Sequence, residues 1–400
     1  MFNSSPSPLW TSLSNTDARI VATETLGTGT AAVSVSTTYK PWTNEVLSIQ
    51  SGAGGSTTNL QNLGYLWDVG GNLSRRGDAN QAGSCAVNGN SSKLCEVFTP
   101  DTLNRLSSST LNGVANFAIT YDASGDILTR SDVGSYGYPL PTAARPHAAT
   151  TAGSNSYTFD ANGNVATKNG LAFTWASYNL PTKLQSTASG SALQTQFLYG
   201  PDHQRYQQIA TYSDGTETTQ YVGETLEKMT ATSTGLTYWR HYLKTPSGHS
   251  IVISRNSDGS TSKNFVLNDH IGSSDAVVNG LTGALNTQET FSAFGLRRQS
   301  NWTSGTPTVW TKTAIKEGTR HGFTGHEELD GVGLVHMNGR VYDPTIGRFL
   351  SVDPINDRPE SSQAGNPYSY AENRPLVATD PTGLEDQASS NDSKCDAKRS

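Results

Sequence analysis

Along most of this 400-residue chain, apolar and polar residues alternate in short runs that end in turns. In "YTFDANGNVATK", Tyr157 and Phe159 fall on one face before an Asp-containing turn, and Val165 opens the run after it. This pattern predicts strand, tight turn and strand. Period-two alternation gives one buried and one wet face, Asp bonds its own backbone two residues on, and Gly supplies a positive φ. The unit recurs as "YLWDVGGNLSRRGD" from Tyr65 and "TYDASGDILTRSD" from Thr120, with its Asp at Asp68, Asp122 and Asp160. The intervals of 54 and 38 residues (122 − 68 and 160 − 122) are irregular. A looser copy, "FLYGPDHQRYQQ", begins at Phe197. One hairpin cannot bury its apolar face alone, whereas stacked hairpins can. The expectation is an all-β chain in which hairpins join into one long sheet that winds on itself; an ordinary β-sandwich with chance turns is the competing reading.

The second half keeps this pattern. Strand-like runs such as "HSIVIS" and "NFVL" are separated by Ser-Gly, Asp-Gly and Asn-Gly turns. Helical periodicity is weak, and "GFTGHEELDGVG", cut by Gly at both ends, leaves room for a turn or two. "RQSNWTSGTPTVWTKTAIKEG" reads as a surface loop.

Composition narrows the function. Charged residues are 16% of the chain, below the roughly 25% of an average globular protein. A net charge of −6 and the lack of a basic stripe argue against a nucleic-acid surface. No run approaches the roughly 18 apolar residues of a membrane span. The start, "MFNSSPSPLWTSLSNTD", has neither a charged n-region nor an apolar h-region of a signal peptide. Export is therefore expected by a non-classical route to the cell surface or medium, with the cytoplasm as the alternative for an orphan fragment. Cys85 and Cys95 close a small loop if the compartment is oxidising and are otherwise two free thiols; Cys395 has no obvious partner.

Near the C-terminus the residues become unusual. "RHGFTGHEELDGVGLVHMNGRVYDPTIGRFLSVDPI" and "NPYSYAENRPLVATDPTGL" hold all three Asp-Pro steps, at Asp343, Asp353 and Asp380. Proline pushes the residue before it into an extended conformation, so the three carboxylates share a local geometry. With "DHIGSSDAV" at Asp269, these segments closely resemble the RHS repeat-associated core, and the earlier units resemble YD repeats. The similarity covers about residues 60 to 384.

The resemblance implies a hollow β-shell built from a spiralling strip of YD hairpins, as in bacterial RHS effectors and the C components of Tc toxins. It further implies a plug formed by the RHS core, a C-terminal toxin cargo with its delivery machinery, and aspartyl-type self-cleavage after the Leu of PxxxxDPxGL. Here that motif is Pro375, Asp380, Pro381, Gly383 and Leu384, with Glu385 following the scissile bond. Carboxylate-catalysed peptide hydrolysis needs one ionised Asp to polarise water and a protonated one to donate, close enough to share a proton. Asp353 and Asp380 match family residues implicated in cleavage, and Arg340 matches the arginine associated with that site, expected either to orient a carboxylate or steady the developing oxyanion, or to pair with a nearby Asp inside the plug. Asp-Pro-x-Gly is also a common turn, so a structural role stands beside the catalytic one; Asp343 is expected to serve such a turn, and Arg348 to pair inside the plug.

Other chemistry is poorly supported. His321, His326 and His336 fit no zinc pattern, and no G-x-S-x-G elbow, Walker loop or Rossmann fingerprint occurs. Neither a cofactor nor a metal is expected. Tyr65, Trp67, Tyr121, Tyr157 and Phe159 are expected to pack between hairpins; their exposure on the outer face would instead favour a surface carbohydrate-binding or adhesion protein.

The expected division is an N-terminal β-rich or loop segment over 1–59, a shell segment over 60–310, a core over 311–384 and a polar tail over 385–400. Sixteen polar residues cannot form a toxin domain, so the cargo is expected to be lost. An inert truncated fragment is the remaining alternative.

Overall fold

A computed structural model describes residues 8–16, 19–305, 319–355 and 361–384, and the backbone of 387–388. Cys395, Glu385, the rest of the polar tail and residues 306–318 of the expected loop lie outside the described residues.

Twenty-five strands, from Trp10–Asn15 to Leu285–Gln288, form one antiparallel sheet in which each strand pairs with the next in sequence. Pairing runs without a break past residue 60, with Ser48 opposite Gly64. The sheet does not close: its first and last strands each have one partner among the described residues.

The repeat turns show why this sequence folds into hairpins. Asp160 accepts the amides of Asn162 and Asn164 on one carboxylate oxygen, both at 2.9 Å, while its own amide donates to the Asn164 carbonyl at 2.8 Å. Gly163 holds φ at +89° between them. The same five-residue closure occurs at Asp68, Asp122 and Asp269. It also occurs at Asp101, where Asn104 takes the positive φ in place of Gly. Backbone closures of that length join Ala176 to Leu180 and Gly200 to Gln204, the latter in the looser copy after Phe197.

The strip curls back on itself. Gln61 Nε2 donates to Asp275 at 2.8 Å, Arg76 Nη2 to the Phe291 carbonyl at 2.9 Å, and His249 Nε2 lies 3.5 Å from Glu24. Tyr65 and Tyr157 are buried in the main apolar core, and Trp67, Tyr121 and Phe159 pack half-buried against it. All five rings thus pack between hairpins, and none of them is fully exposed.

Leu329, Leu334, Val341, Ile346, Leu350 and Leu376 of the C-terminal segment share that core with the strip. The segment forms its own four-stranded antiparallel sheet from Glu327–Leu329, Leu334–Met337, Arg340–Asp343 and Arg348–Phe349. "GFTGHEELDGVG" supplies only a three-residue 3-10 turn, Phe323–Gly325, before the first of these strands. Ion pairs fasten core to strip: Arg205 to Glu327 and Arg320 to Glu217, each mostly buried. Cys85 and Cys95 are joined by a disulfide across a bulged hairpin. In the described part of the expected surface loop, Trp302 is buried rather than exposed. Its ring takes the Arg76 and Arg298 guanidinium groups at 5.4 and 4.8 Å, because these cations need an aromatic face where the strip meets its own end.

Candidate functional site

Phe323, Tyr342, Phe349 and Tyr370 pack in stacked, tilted and edge-on pairs with ring centroids within 6.2 Å of their neighbours, alongside Val335 and Met337. Arg340 opens the third strand of the small sheet, and its guanidinium lies 3.6 Å from the centre of the Phe349 ring. That stacking covers one face of the guanidinium plane and leaves its edge for polar partners.

Those partners are the predicted carboxylates. Arg340 Nη2 lies 2.8 Å from Asp353 Oδ2 and 2.9 Å from Asp380 Oδ2. Sharing one nitrogen, the two carboxylate oxygens are at most 5.7 Å apart (2.8 + 2.9). Asp380 is fully buried, while the Asp353 side chain keeps 18% of its surface exposed. Asp353 is set in place by its amide on the Pro367 carbonyl at 3.0 Å and by the Ile355 amide on its own Oδ1 at 2.9 Å.

The Pro375–Leu384 motif lies across this cluster. Arg340 Nε donates to the Gly383 carbonyl, and the Leu384 amide donates to Asp380 Oδ1 at 2.9 Å. The Gly383–Leu384 peptide unit is thus held on its carbonyl by the arginine and on its amide by a carboxylate. Gly383 has φ +73°, and a Cβ there would stand 1.9 Å from the Met337 carbonyl oxygen. Gly339 leaves room for Leu384 in the same way and donates its amide to the Thr382 carbonyl at 2.8 Å. Pro375 is buried and Pro381 exposed on either side of Asp380.

Asp343 and Arg348 lie elsewhere. Asp343 is fully buried and receives the Tyr157 hydroxyl at 2.8 Å, the Lys168 ammonium at 2.7 Å and the Thr345 amide at 3.1 Å. Arg348 donates to Asn373 Oδ1 and to the carbonyl of Gly125, a repeat-turn residue, both at 2.8 Å. Both residues join core to strip.

A cavity of about 1390 Å³ opens between strip and core, with Arg340, Val352, Pro354, Pro381 and Leu384 in its wall. Six of the eight histidines line it, yet no group of three or more His, Cys, Asp or Glu is placed to hold a metal ion among the described residues. Of these, His321, His326 and His336 fit no zinc-ligand spacing in the sequence. His270 and His326 bond the backbone carbonyls of Leu376 and Pro381; a fit to metal-ligand spacing had no means of finding those contacts.

No protein-family model matches the chain. Among curated proteins it is 34% identical over 116 residues to the toxin subunit YenC1 of Yersinia entomophaga, covering 28% of this chain and 10% of that protein. It is 36% identical over 91 residues to the toxin protein Tse5 of Pseudomonas aeruginosa, covering 22% and 6%. It is 26% identical over 240 residues to the tRNA3(Ser)-specific nuclease WapA of Bacillus spizizenii, covering 58% and 9%. The chain therefore spans about a tenth or less of each of these relatives. Among solved structures, TcdB2-TccC3 without its hypervariable C-terminal region superposes with a TM-score of 0.74 at 18% identity, covering 94% of this chain and 19% of that one. A Photorhabdus luminescens Tc holotoxin pore gives 0.73 at 19% identity, covering 96% and 19%. With its Asp-turn hairpins and a curled strip of antiparallel strands packed on a C-terminal segment, the chain has the fold of these Tc toxin structures and is similar in sequence to RHS-type toxins.

Proposed function

We propose that this chain is the shell-and-core scaffold of a polymorphic-toxin-type RHS protein and that its core cuts the chain after Leu384. The observation that carries the reading is the convergence on Arg340 of Asp353, Asp380 and the Gly383 carbonyl, with the Leu384 amide on Asp380.

In this reading Asp380, whose two oxygens accept hydrogen bonds from Arg340 and the Leu384 amide, fixes the substrate peptide. Asp353, the more exposed carboxylate, takes a proton from the water that attacks the Leu384 carbonyl carbon. Arg340 supplies positive charge beside the developing oxyanion. The Leu384–Glu385 bond then breaks, and the proton held by Asp353 passes to the departing amine. This assignment replaces the two-carboxylate relay expected from sequence with one proton-transferring carboxylate and one anchoring carboxylate.

The open ends of the sheet suit continuation into further shell strands, supplied by the same polypeptide or by a second strip-bearing component of a secreted toxin assembly. The test is a peptide tag appended after Ser400. Wild type loses the tag, whereas Asp353→Asn, Asp380→Asn and Arg340→Ala retain it. Tag loss at the wild-type rate from both Asn variants would remove the carboxylates from the mechanism.

A further inference from the structure

Residues 376–381 run through Asp380, and imidazole groups hold their backbone at both ends. His326 Nε2 lies 3.1 Å from the Pro381 carbonyl oxygen, which Asn338 Nδ2 also approaches at 3.2 Å. His270 Nε2 lies 3.1 Å from the Leu376 carbonyl oxygen. A carbonyl can only accept, so in both rings Nε2 carries the hydrogen. His326 Nδ1 then accepts from the Thr324 hydroxyl at 2.9 Å, which fixes that tautomer.

The two histidines reach this segment from different parts of the fold. His270 belongs to the strip, in the Asp269 turn, and its ring packs 4.4 Å from that of Tyr65. His326 follows the 3-10 turn of the core, whose Thr324 amide donates to Ser273 of the same strip turn at 3.0 Å. Both rings are more than nine-tenths buried. Burial pushes His326 down to about 4 and His270 to about 3, so both are neutral donors at ordinary pH.

Two residues after Pro381 comes Gly383, whose carbonyl must meet Arg340, and then Leu384, whose amide must meet Asp380. Pro381 is exposed and lies between the Arg340-bound Asp380 and Thr382, whose carbonyl takes the Gly339 amide; the contacts to Pro381's own carbonyl come from His326 and Asn338. We propose that His326, acting with Asn338, is a positioning residue for self-cleavage that clamps the Pro381 carbonyl and so sets Leu384 in register, while His270 fixes the start of the same segment from the shell. This rests on the self-cleavage reading above and adds that the shell helps to set the geometry of the cut.

The test uses the full chain. Cleavage of freshly made His326→Ala is expected to slow by about 100-fold, the scale of a misplaced reacting group. His326→Gln, which keeps an N–H donor, is expected to regain part of the rate. Because His326 lines the open cavity, added imidazole is expected to restart cleavage of purified, intact His326→Ala; a general folding defect would not respond. A second readout is independent of cleavage. In an Asp353→Asn background, hydrogen exchange of the peptide spanning 376–384 is expected to quicken when His326→Ala is added. Wild-type cleavage rates in His326→Ala, or unchanged exchange in that background, would overturn the clamp. A wild type that never cleaves would instead sink the self-cleavage reading, and the exchange comparison would still decide the clamp.

Discussion

The Tyr157 hydroxyl donates a 2.8 Å hydrogen bond to Asp343. A tyrosine of the "YTFD" repeat thereby meets the first Asp-Pro of the core, and Lys168 from the partner strand of the same hairpin completes the contact at 2.7 Å. One carboxylate thus serves as the joint between strip and core.

Removing the hydroxyl leaves a buried, charged acceptor one donor short. Tyr157→Phe should destabilise the protein by about 1.5–3 kcal/mol, the range for hydrogen bonds to charged groups. Asp343→Ala, which strands the mostly buried Lys168 ammonium, should cost more, about 3–5 kcal/mol. Denaturant unfolding of the single and double variants measures the coupling, and additive effects would show that the joint contributes nothing as a unit.

Gly383 makes a more local prediction. At φ +73°, with a Cβ meeting the Met337 carbonyl, Gly383→Ala must move the chain away from Arg340. Cleavage should fall by two orders of magnitude or more on the scale of about 100-fold per ångström of misplacement. The unfolding midpoint of the shell should stay nearly unchanged, because the displaced residues follow the last core strand. Mass spectrometry of the variant, with circular dichroism as control, separates the two effects.

Stability should depend on pH through the carboxyls of the core. Burial raises Glu328 to about 8 and Asp330 to about 7. Between their unfolded values near 4 and these folded ones, the native state holds more protons than the unfolded chain. This contribution is full below about pH 4 and declines as pH rises towards 8. Glu96, lowered to about 2 against its burial by Arg298 and Arg76, acts oppositely and loses its contribution as acid protonates it. Thermal midpoints should therefore peak in mild acid and fall towards pH 8. Glu328→Gln should flatten that fall, and an unchanged slope would show that Glu328 is ionised in the native protein.

The Cys85–Cys95 bridge closes a bulged hairpin of the strip. Reduction should cost about 2–4 kcal/mol, the usual range for a native disulfide. Cys85→Ser should lower stability equally and remove any response to reductant.

The hairpins and the cluster were legible in the sequence for different reasons. Asp68, Asp122 and Asp160 stand out because Gly follows three residues later, where the closure needs a positive φ. The turn at Asp101 escapes that reading because Asn104 takes the same backbone conformation, and the turns at Ala176 and Gly200 use Asn179 and His203. Arg340, Asp353 and Asp380 were found by motif. The joints to the strip were not: Arg205–Glu327 and Arg320–Glu217 link residues over a hundred positions apart, and only the curl of the sheet sets their register. His270 and His326 were missed for the same reason, since their partners are backbone carbonyls distant in sequence.

The most direct test of the account is the intact mass of the purified, untagged wild-type protein. A single species ending at Leu384, lacking residues 385–400, is the predicted result. A persistent full-length mass, under conditions where the chain unfolds in one cooperative transition, would contradict self-cleavage and leave the Arg340 cluster as a structural anchor of the core.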